Sequence, residues 1–396
     1  MMADRDNIHV SVVLPAGGTG ERFGSSLPKQ FCRLLDRPII LYTLQEFHKL
    51  SCVNHIVVVV SQPYVDYLEE LVESHGYTKV MVVRGAHTRH RSINNGVKTL
   101  KSVLEPSDVV IIHDAVRLFV GESVIQDVAK AARETGAAGV HRPLISTVIA
   151  SDECGYLEES LDRSRYHASE MPQGFIFSVI LSAYEKATEH DFDFGTECLQ
   201  LALKYTSTKA RLIEGPSNLW KVTLRKDLYA AEGMLKENEM QVQVVGCCDR
   251  DLVTCLEQEL GARHLKVTIC DSLETCDLVD VNCTVYYHTQ FDSDVITDYT
   301  ENLVREQKKS SLAPLTPFLD KVIVHVIQLE DEMVNCFKKI KNIVQRNCQS
   351  WRKKHLLVYF VLNETNTSVT VVSKMVASIV WTRDPVMAGQ IYMSFD

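Results

Sequence analysis

With 396 residues the chain exceeds what one hydrophobic core usually organises, so two domains are expected. Its 45% apolar and 23% charged content is that of a soluble globular protein. The net charge of −9 excludes the basic surface of a nonspecific nucleic-acid binder, and no run approaches the ~20 apolar residues of a membrane span, so neither nucleic acid nor membrane is an expected partner.

The first ten residues, MMADRDNIHV, enter a strand directly and lack the regions of a signal peptide. Twelve cysteines are scattered without a CxxC pair, which predicts reduced thiols in a cytosolic chain and neither a zinc site nor a disulfide framework. The sequons at Asn282, Asn363 and Asn366 then read as chance matches.

Val10, Val12, Val13 and Leu14 form a mostly apolar run without polar alternation, the pattern of a parallel strand covered on both faces. It leads into a loop with Gly17, Gly18, Gly20 and Gly24, expected to allow positive φ and close approach of an anion to backbone amides. Arg22 and Lys29 add positive charge beside it. The spacing matches neither GxxxxGK[ST] nor GxGxxG, since Phe23 stands where the last glycine of the latter would fall.

Beyond the loop, helices at 38–50 and 63–75 alternate with strands at 55–60 and 79–83, a βαβαβ order that implies a parallel, right-handed, doubly wound sheet. The next helix opens on Arg89, His90 and Arg91, cations at the end that already carries the positive helix dipole, which suits a bound anion or else a solvated basic turn. A fourth buried strand, 109–112, delivers His113-Asp114-Ala115-Val116-Arg117 at its carboxyl end, where open α/β sheets bind ligands. An acid there, among cations, suits a metal or a ribose.

A helix at 123–134 and a strand near 139–142 continue the sheet, and 146–177 reads as an inserted β-arm for substrate or subunit contacts. Helices at 178–188 and 196–205 and a strand at 210–214 follow. Asn218 to Thr223 reads as a strand with Leu219, Lys221 and Thr223 on one face. A helix from Arg225 to about Lys236 closes a first domain, 1–237. In the second, 238–396, strands are expected at 241–245, 264–269, 278–286, 322–326 and 355–361, with helices at 252–260 and 330–352 and a polar linker at 305–311. Its α/β alternation suggests a Rossmann-like unit without a cofactor loop, and nothing in it states a role.

Arg22, Lys29, Arg89, Asp114, Arg117 and Lys221 would converge at strand ends: five cations and one carboxylate, without a Ser/His/Asp nucleophile set. That suits attack by an oxygen already ionised, as when a phosphate monoester attacks the α-phosphorus of a nucleoside triphosphate and expels pyrophosphate.

The motifs LPAGGTGERFG, PKQF, TRHRS, HDAVR, STV, LDRSR, EMPQGF and LWKVT occur in the order found in the IspD/TarI-type cytidylyltransferases, and residues 8–237 resemble that family. The resemblance implies a Rossmann-like nucleotidyltransferase fold, CTP and a pentitol phosphate as substrates, Mg2+ as cofactor, and a homodimer formed through the 146–177 arm. With its second half the whole chain is similar to vertebrate members acting on D-ribitol 5-phosphate, whose product CDP-ribitol serves ribitol-phosphate addition to the O-mannosyl glycan of dystroglycan.

By motif, the resemblance places Ala16, Gly17, Gly18, Thr19 and Gly20 around CTP. Arg22, Lys29 and Lys221 become the catalytic cations, Lys221 bridging the α-phosphate and the attacking phosphate. Arg89 and Ser92 fall on the nucleotide side, and Asp114 orients ribose and magnesium. Arg117, Thr147 and Arg163 hold the acceptor phosphate, the last two across the dimer interface, and Gln173 is structural.

The chain departs from the bacterial pattern at His87, where an acid stands near the base, at Leu118, where a proline is usual, and at Gly195-Thr196-Glu197 in place of Thr-Asp-Glu. The alternatives are a 2-C-methyl-D-erythritol 4-phosphate cytidylyltransferase and a non-catalytic scaffold. A dinucleotide-dependent oxidoreductase would need the missing GxGxxG.

Overall fold

The computed structural model describes residues 8–18, 23–24, 27–35, 37–247, 249–271, 281–298, 300, 321–329, 333–354, 356–364 and 367–394. By internal contacts it divides into two units, Met1–Ala231 and Glu232–Asp396, the division falling within the helix Arg225–Glu239.

The first unit is built on β1 (Val10–Pro15), a small pair β2 (Arg33–Leu34) and β3 (Arg37–Pro38), then β4 (Val53–Val60), β5 (Val80–Arg84), β6 (Val109–Ile112), β7 (Ala137–Pro143), β8 (Ile149–Ser151), β9 (Leu157–Ser160), β10 (His167–Ile176) and β11 (Arg211–Glu214). Seven of these form one sheet in the order β11-β7-β10-β6-β1-β4-β5, parallel except for β10, which runs antiparallel to β6 and β7. β1 and β6 are central strands and almost wholly buried; β6 is an unbroken apolar run and β1 carries one buried polar residue, Ser11. From β1 the chain winds outward through β4 to β5, then crosses to β6 on the other side of β1. The strand order therefore reverses between β1 and β6, and a crevice opens there at the strands' carboxyl ends.

One glycine sets how closely a helix approaches this crevice. Gly96 lies inside the helix Arg89–Thr99, where glycine costs ~1 kcal/mol against alanine. A Cβ there would sit 2.5 Å from Val13 Cγ1 and 2.9 Å from Val59 Cγ2, so only glycine lets this helix press onto β1 and β4. Its first turn is thereby brought to the strand ends.

Three sequence expectations change. The segment 146–177 is not all arm: only β8 and β9 form a separate hairpin, whereas β10 is a central strand wedged between β6 and β7. Its Pro172 and Gly174 resemble breakers, but pairing of Gln173 to Ile176 with β6 holds them extended. Asn218 to Thr223 is a loop, not a strand. Asp227 accepts from the amides of Thr223 (2.7 Å) and Leu224 (2.8 Å), starting the helix Arg225–Glu239 immediately, and Leu219 and Val222 are both buried as anchors. Gly24 takes a positive φ of 70°, but Gly17 and Gly18 do not. A Cβ at Gly17 would meet nothing nearer than 3.8 Å and one at Gly18 nothing within 4 Å, so what these two glycines leave is open space.

The second unit holds β12 (Gln241–Val245), β13 (Lys266–Cys270), β14 (Cys283–His288), β15 (Lys321–Leu329), β16 (Leu356–Glu364) and β17 (Ile391–Ser394). They form an all-parallel sheet in the order β13-β12-β14-β15-β16-β17, a second doubly wound arrangement. Its core gathers Tyr286, Ile323, Ile327, Ile340, Val358, Phe360 and Leu362. A helix at Val369–Thr382 was not expected, because its valine-rich sequence gives no clear helical stripe. The expected linker at 305–311 lies outside the described residues.

Candidate active site

A cavity of about 530 Å³ opens at the reversal point, bordered by Ala16, Gly17 and Gly18 after β1, by Lys29, by Arg89 and Ser92 of the covering helix, by Asp114 after β6, and by Lys221 and Thr223. Four chain segments far apart in sequence supply it. The loop after β1 is pinned from behind by Gln30, which is 2% exposed and donates through Nε2 to the carbonyls of Ala16 (2.5 Å) and Gly18 (3.2 Å). Ala16 itself donates to the Val59 carbonyl at 2.7 Å, so its own amide is engaged by the sheet. Gln30 was not singled out in the sequence, since nothing in PKQF marks a buried amide that bonds backwards.

Lys29 lies in a short 3-10 turn at Lys29–Phe31 and donates through Nζ to the Val222 carbonyl at 2.8 Å. This contact joins the first loop to the 218–223 loop. The Val222 amide in turn donates to the Val116 carbonyl at 3.0 Å, so three loops are tied at their backbones while Lys29, Lys221 and Thr223 border the cavity.

Asp114 is the electrostatic centre. It is 4% exposed, with Arg89 Nη1 2.7 Å from Oδ1, and Arg117 Nε at 3.0 Å and Lys221 Nζ at 3.2 Å from Oδ2. Burial alone would push its carboxyl up; Arg89, Lys221 and Arg117 outweigh that and hold it well below the usual carboxylate range. Burial lowers the Lys221 ammonium and Arg89 adds to it, against the pull of Asp114. Three cations on one carboxylate leave net positive charge beside the cavity, the requirement for holding phosphates in a chain that is acidic overall.

The helix that opens with Arg89, His90 and Arg91 does not present a solvated basic turn. Arg89 is on Asp114; Arg91 bonds Glu189 (2.5 Å) and Asp193 (3.1 Å). His90 is buried against the Tyr184 hydroxyl at 3.0 Å. Thr88 caps the helix by accepting from the Arg91 amide, and Ser92 Oγ accepts from the Ala86 amide (3.0 Å) while donating to the Ala86 carbonyl (3.2 Å). Protein carboxylates thus supply the anions that the dipole favours. His87 is exposed at the cavity edge, 3.7 Å from Asp193.

The remaining expected residues fall elsewhere. Arg117 is buried behind Asp114 and does not border the cavity. Thr147 and Arg163 are exposed on the hairpin arm, Arg163 donating to the Ile145 carbonyl at 2.9 Å, and within this single chain neither reaches the cavity. Gln173 is fully buried and donates to Glu197 Oε1 at 2.5 Å. Thr19, Gly20 and Arg22 lie outside the described residues. Among the described residues no cluster of three His, Cys, Asp or Glu side chains could cage a metal ion. Asp114 is a single carboxylate with both oxygens already against cations, so a magnesium ion beside it would have to be held chiefly by triphosphate oxygens.

Residues 10–237 match the family model described as IspD: 2-C-methyl-D-erythritol 4-phosphate cytidylyltransferase. A D-ribitol-5-phosphate cytidylyltransferase of Xenopus tropicalis is 37% identical, over 99% of this chain and 99% of its own. That of Homo sapiens is 38% identical, over 97% of this chain and 90% of its own. A 2-C-methyl-D-erythritol 4-phosphate cytidylyltransferase of Syntrophus aciditrophicus is 32% identical, over 59% of this chain and 98% of its own.

Proposed function

This chain belongs to the IspD family of cytidylyltransferases, and on that premise we propose that it transfers CMP from CTP to D-ribitol 5-phosphate, releasing pyrophosphate and CDP-ribitol. The observation that carries the reading is the cationic cavity around Asp114, set at the strand-order reversal and joined to a full-length likeness with proteins named for that activity.

In this reading the glycine loop gives the triphosphate room, and Lys29 faces the phosphates. Lys221 lies between the α-phosphate and the attacking phosphate, neutralising both while one of its partners, Asp114, keeps it in place. An acceptor phosphate oxygen forms the new bond to the α-phosphorus as the bond to pyrophosphate breaks. No proton is removed, so no general base is needed. Arg22 is assigned by motif to the same charge. Asp114 would also hold magnesium, which when bound neutralises triphosphate charge.

The acceptor side is Arg117 together with Thr147 and Arg163, the latter two offered by the arm of a second copy. We further read the product as serving O-mannosyl glycosylation of dystroglycan, in a cytosolic enzyme. Among the described residues no helix is long and apolar enough to cross a membrane.

The test is product formation. With CTP, magnesium and ribitol 5-phosphate the protein should yield equimolar pyrophosphate and CDP-ribitol, and a chelator should abolish both. No nucleotide product with any pentitol phosphate would sink the proposal.

A further inference from the structure

Arg117 is gripped from three directions. Its Nε donates to Asp114 Oδ2 at 3.0 Å, while Nη1 donates to the Leu219 carbonyl at 2.6 Å and to Glu170 Oε2. The Arg117 side chain is 9% exposed and that of Glu170 19%. Among the described residues no hydrogen bond runs from Nη2; Arg117 lies outside the lining of the cavity, so an acceptor phosphate held by it would sit beside that cavity, next to Asp114.

Glu170 comes from a different part of the fold. It lies on β10, where the register with β7 shifts between Ser169 and Gln173. Such irregularities turn a side chain out of the regular alternation. Its neighbours Ser169 and Gln173 both bond Glu197, the residue that caps the helix Cys198–Thr206, so the strand is fixed on either side of Glu170. The same strand follows directly on the hairpin arm that carries Thr147 and Arg163. The Glu170–Arg117 contact therefore ties the root of the arm to the loop that bears Asp114.

We propose that Glu170 is a positioning residue for the transfer reaction: with Asp114 and the Leu219 carbonyl it fixes the Arg117 guanidinium so that Nη2 meets the acceptor's phosphate in one orientation. The inference rests on the function proposed above, in which Arg117 binds that phosphate. A free arginine side chain loses rotamer entropy when it is fixed, and fixing it beforehand spares the acceptor that cost on binding. A carboxylate so near also repels a phosphate, and Arg117 between them offsets this. The two effects predict opposite changes in acceptor affinity when Glu170 is removed.

The experiment is steady-state kinetics of the full chain with CTP and ribitol 5-phosphate varied in turn. Glu170→Ala is expected to raise KM for ribitol 5-phosphate about tenfold, with KM for CTP and kcat within about twofold. Glu170→Gln, which keeps an accepting oxygen, should fall between it and wild type. In an Arg117→Ala background Glu170→Ala should add nothing, because its effect passes through Arg117. An unchanged or lowered acceptor KM, equal rises in both KM values, or additivity with Arg117→Ala overturns the assignment. If Glu170→Ala does not melt cooperatively, Glu170→Gln decides by the same split. Absence of turnover in wild type is a different failure, that of the functional reading itself, and the assignment falls with it.

Discussion

At the scale of single residues, the site separates groups that act on charge from groups that hold them. Lys29 and Lys221 border the cavity, and neither anchors the hydrophobic core. Each should contribute as an oxyanion donor does, so Lys29→Ala and Lys221→Ala are expected to lower kcat by about 10²–10³ while leaving the melting temperature near wild type. Asp114 keeps Arg89 and Arg117 when Lys221 is lost, which is why stability should hold. A near-wild-type rate in either variant removes its assigned role.

A pH dependence follows from two histidines behind the site. His90 and His113 are 1% and 0% exposed; burial first, with nearby arginine charge adding to it, pushes each imidazole down to about 4 from an ordinary 6.5. The folded state thus binds fewer protons than the unfolded one over this range. Their stability contribution is complete above about pH 6.5 and is lost progressively as pH falls toward 4. Urea midpoints should be flat from pH 8 to 7 and drop steeply between pH 6 and 4.5. A flat profile throughout would contradict neutral burial.

At the scale of elements, legibility depended on whether a pattern was local. β1, β4 and β6 are evident because strands covered on both faces are mostly apolar without alternation, the few polar residues being Ser11 in β1 and Asn54 and His55 at the start of β4. The sequence reads β10 as arm because Pro172 and Gly174 look like punctuation, whereas the flanking residues pair with β6 and β7. LWKVT alternates like a strand, yet Leu219 and Val222 are loop anchors and Asp227 caps the next helix. Gln30 and Glu170 lie within the motifs PKQF and EMPQGF, but no local pattern states their roles, which arise from contacts across loops and strands.

The arm has little support of its own within the described chain. β8 and β9 are a two-stranded hairpin, marginal when isolated, and Ile145, Ile149, Tyr156 and Leu157 are 84%, 59%, 73% and 66% exposed. A second copy covering this surface would explain both the exposed apolar side chains and the distance of Thr147 and Arg163 from their own cavity. Sedimentation should show a dimer that Ile149→Asp with Leu157→Asp converts to monomer, with loss of acceptor turnover. A wild-type monomer at micromolar concentration excludes this role for the arm.

At the scale of the whole molecule, two doubly wound units share one architecture but not one chemistry. Both reverse strand order, the first between β1 and β6 and the second between β12 and β14. After β1 the chain offers glycines and cations. After β12 the Asp249 carboxylate caps the next helix, accepting from the amides of Asp251 (2.9 Å) and Leu252 (3.1 Å). The family match covers residues 10–237, which is why the transfer chemistry is sought in the first unit. The acceptor's identity is the part least written in individual residues, because it rests on likeness across the full length of the chain. The most direct test is kcat/KM at saturating CTP and magnesium for ribitol 5-phosphate against 2-C-methyl-D-erythritol 4-phosphate: the account predicts a preference for ribitol 5-phosphate of at least about tenfold, roughly 1.4 kcal/mol of discrimination, and a preference for methylerythritol phosphate, or turnover of neither, would contradict it.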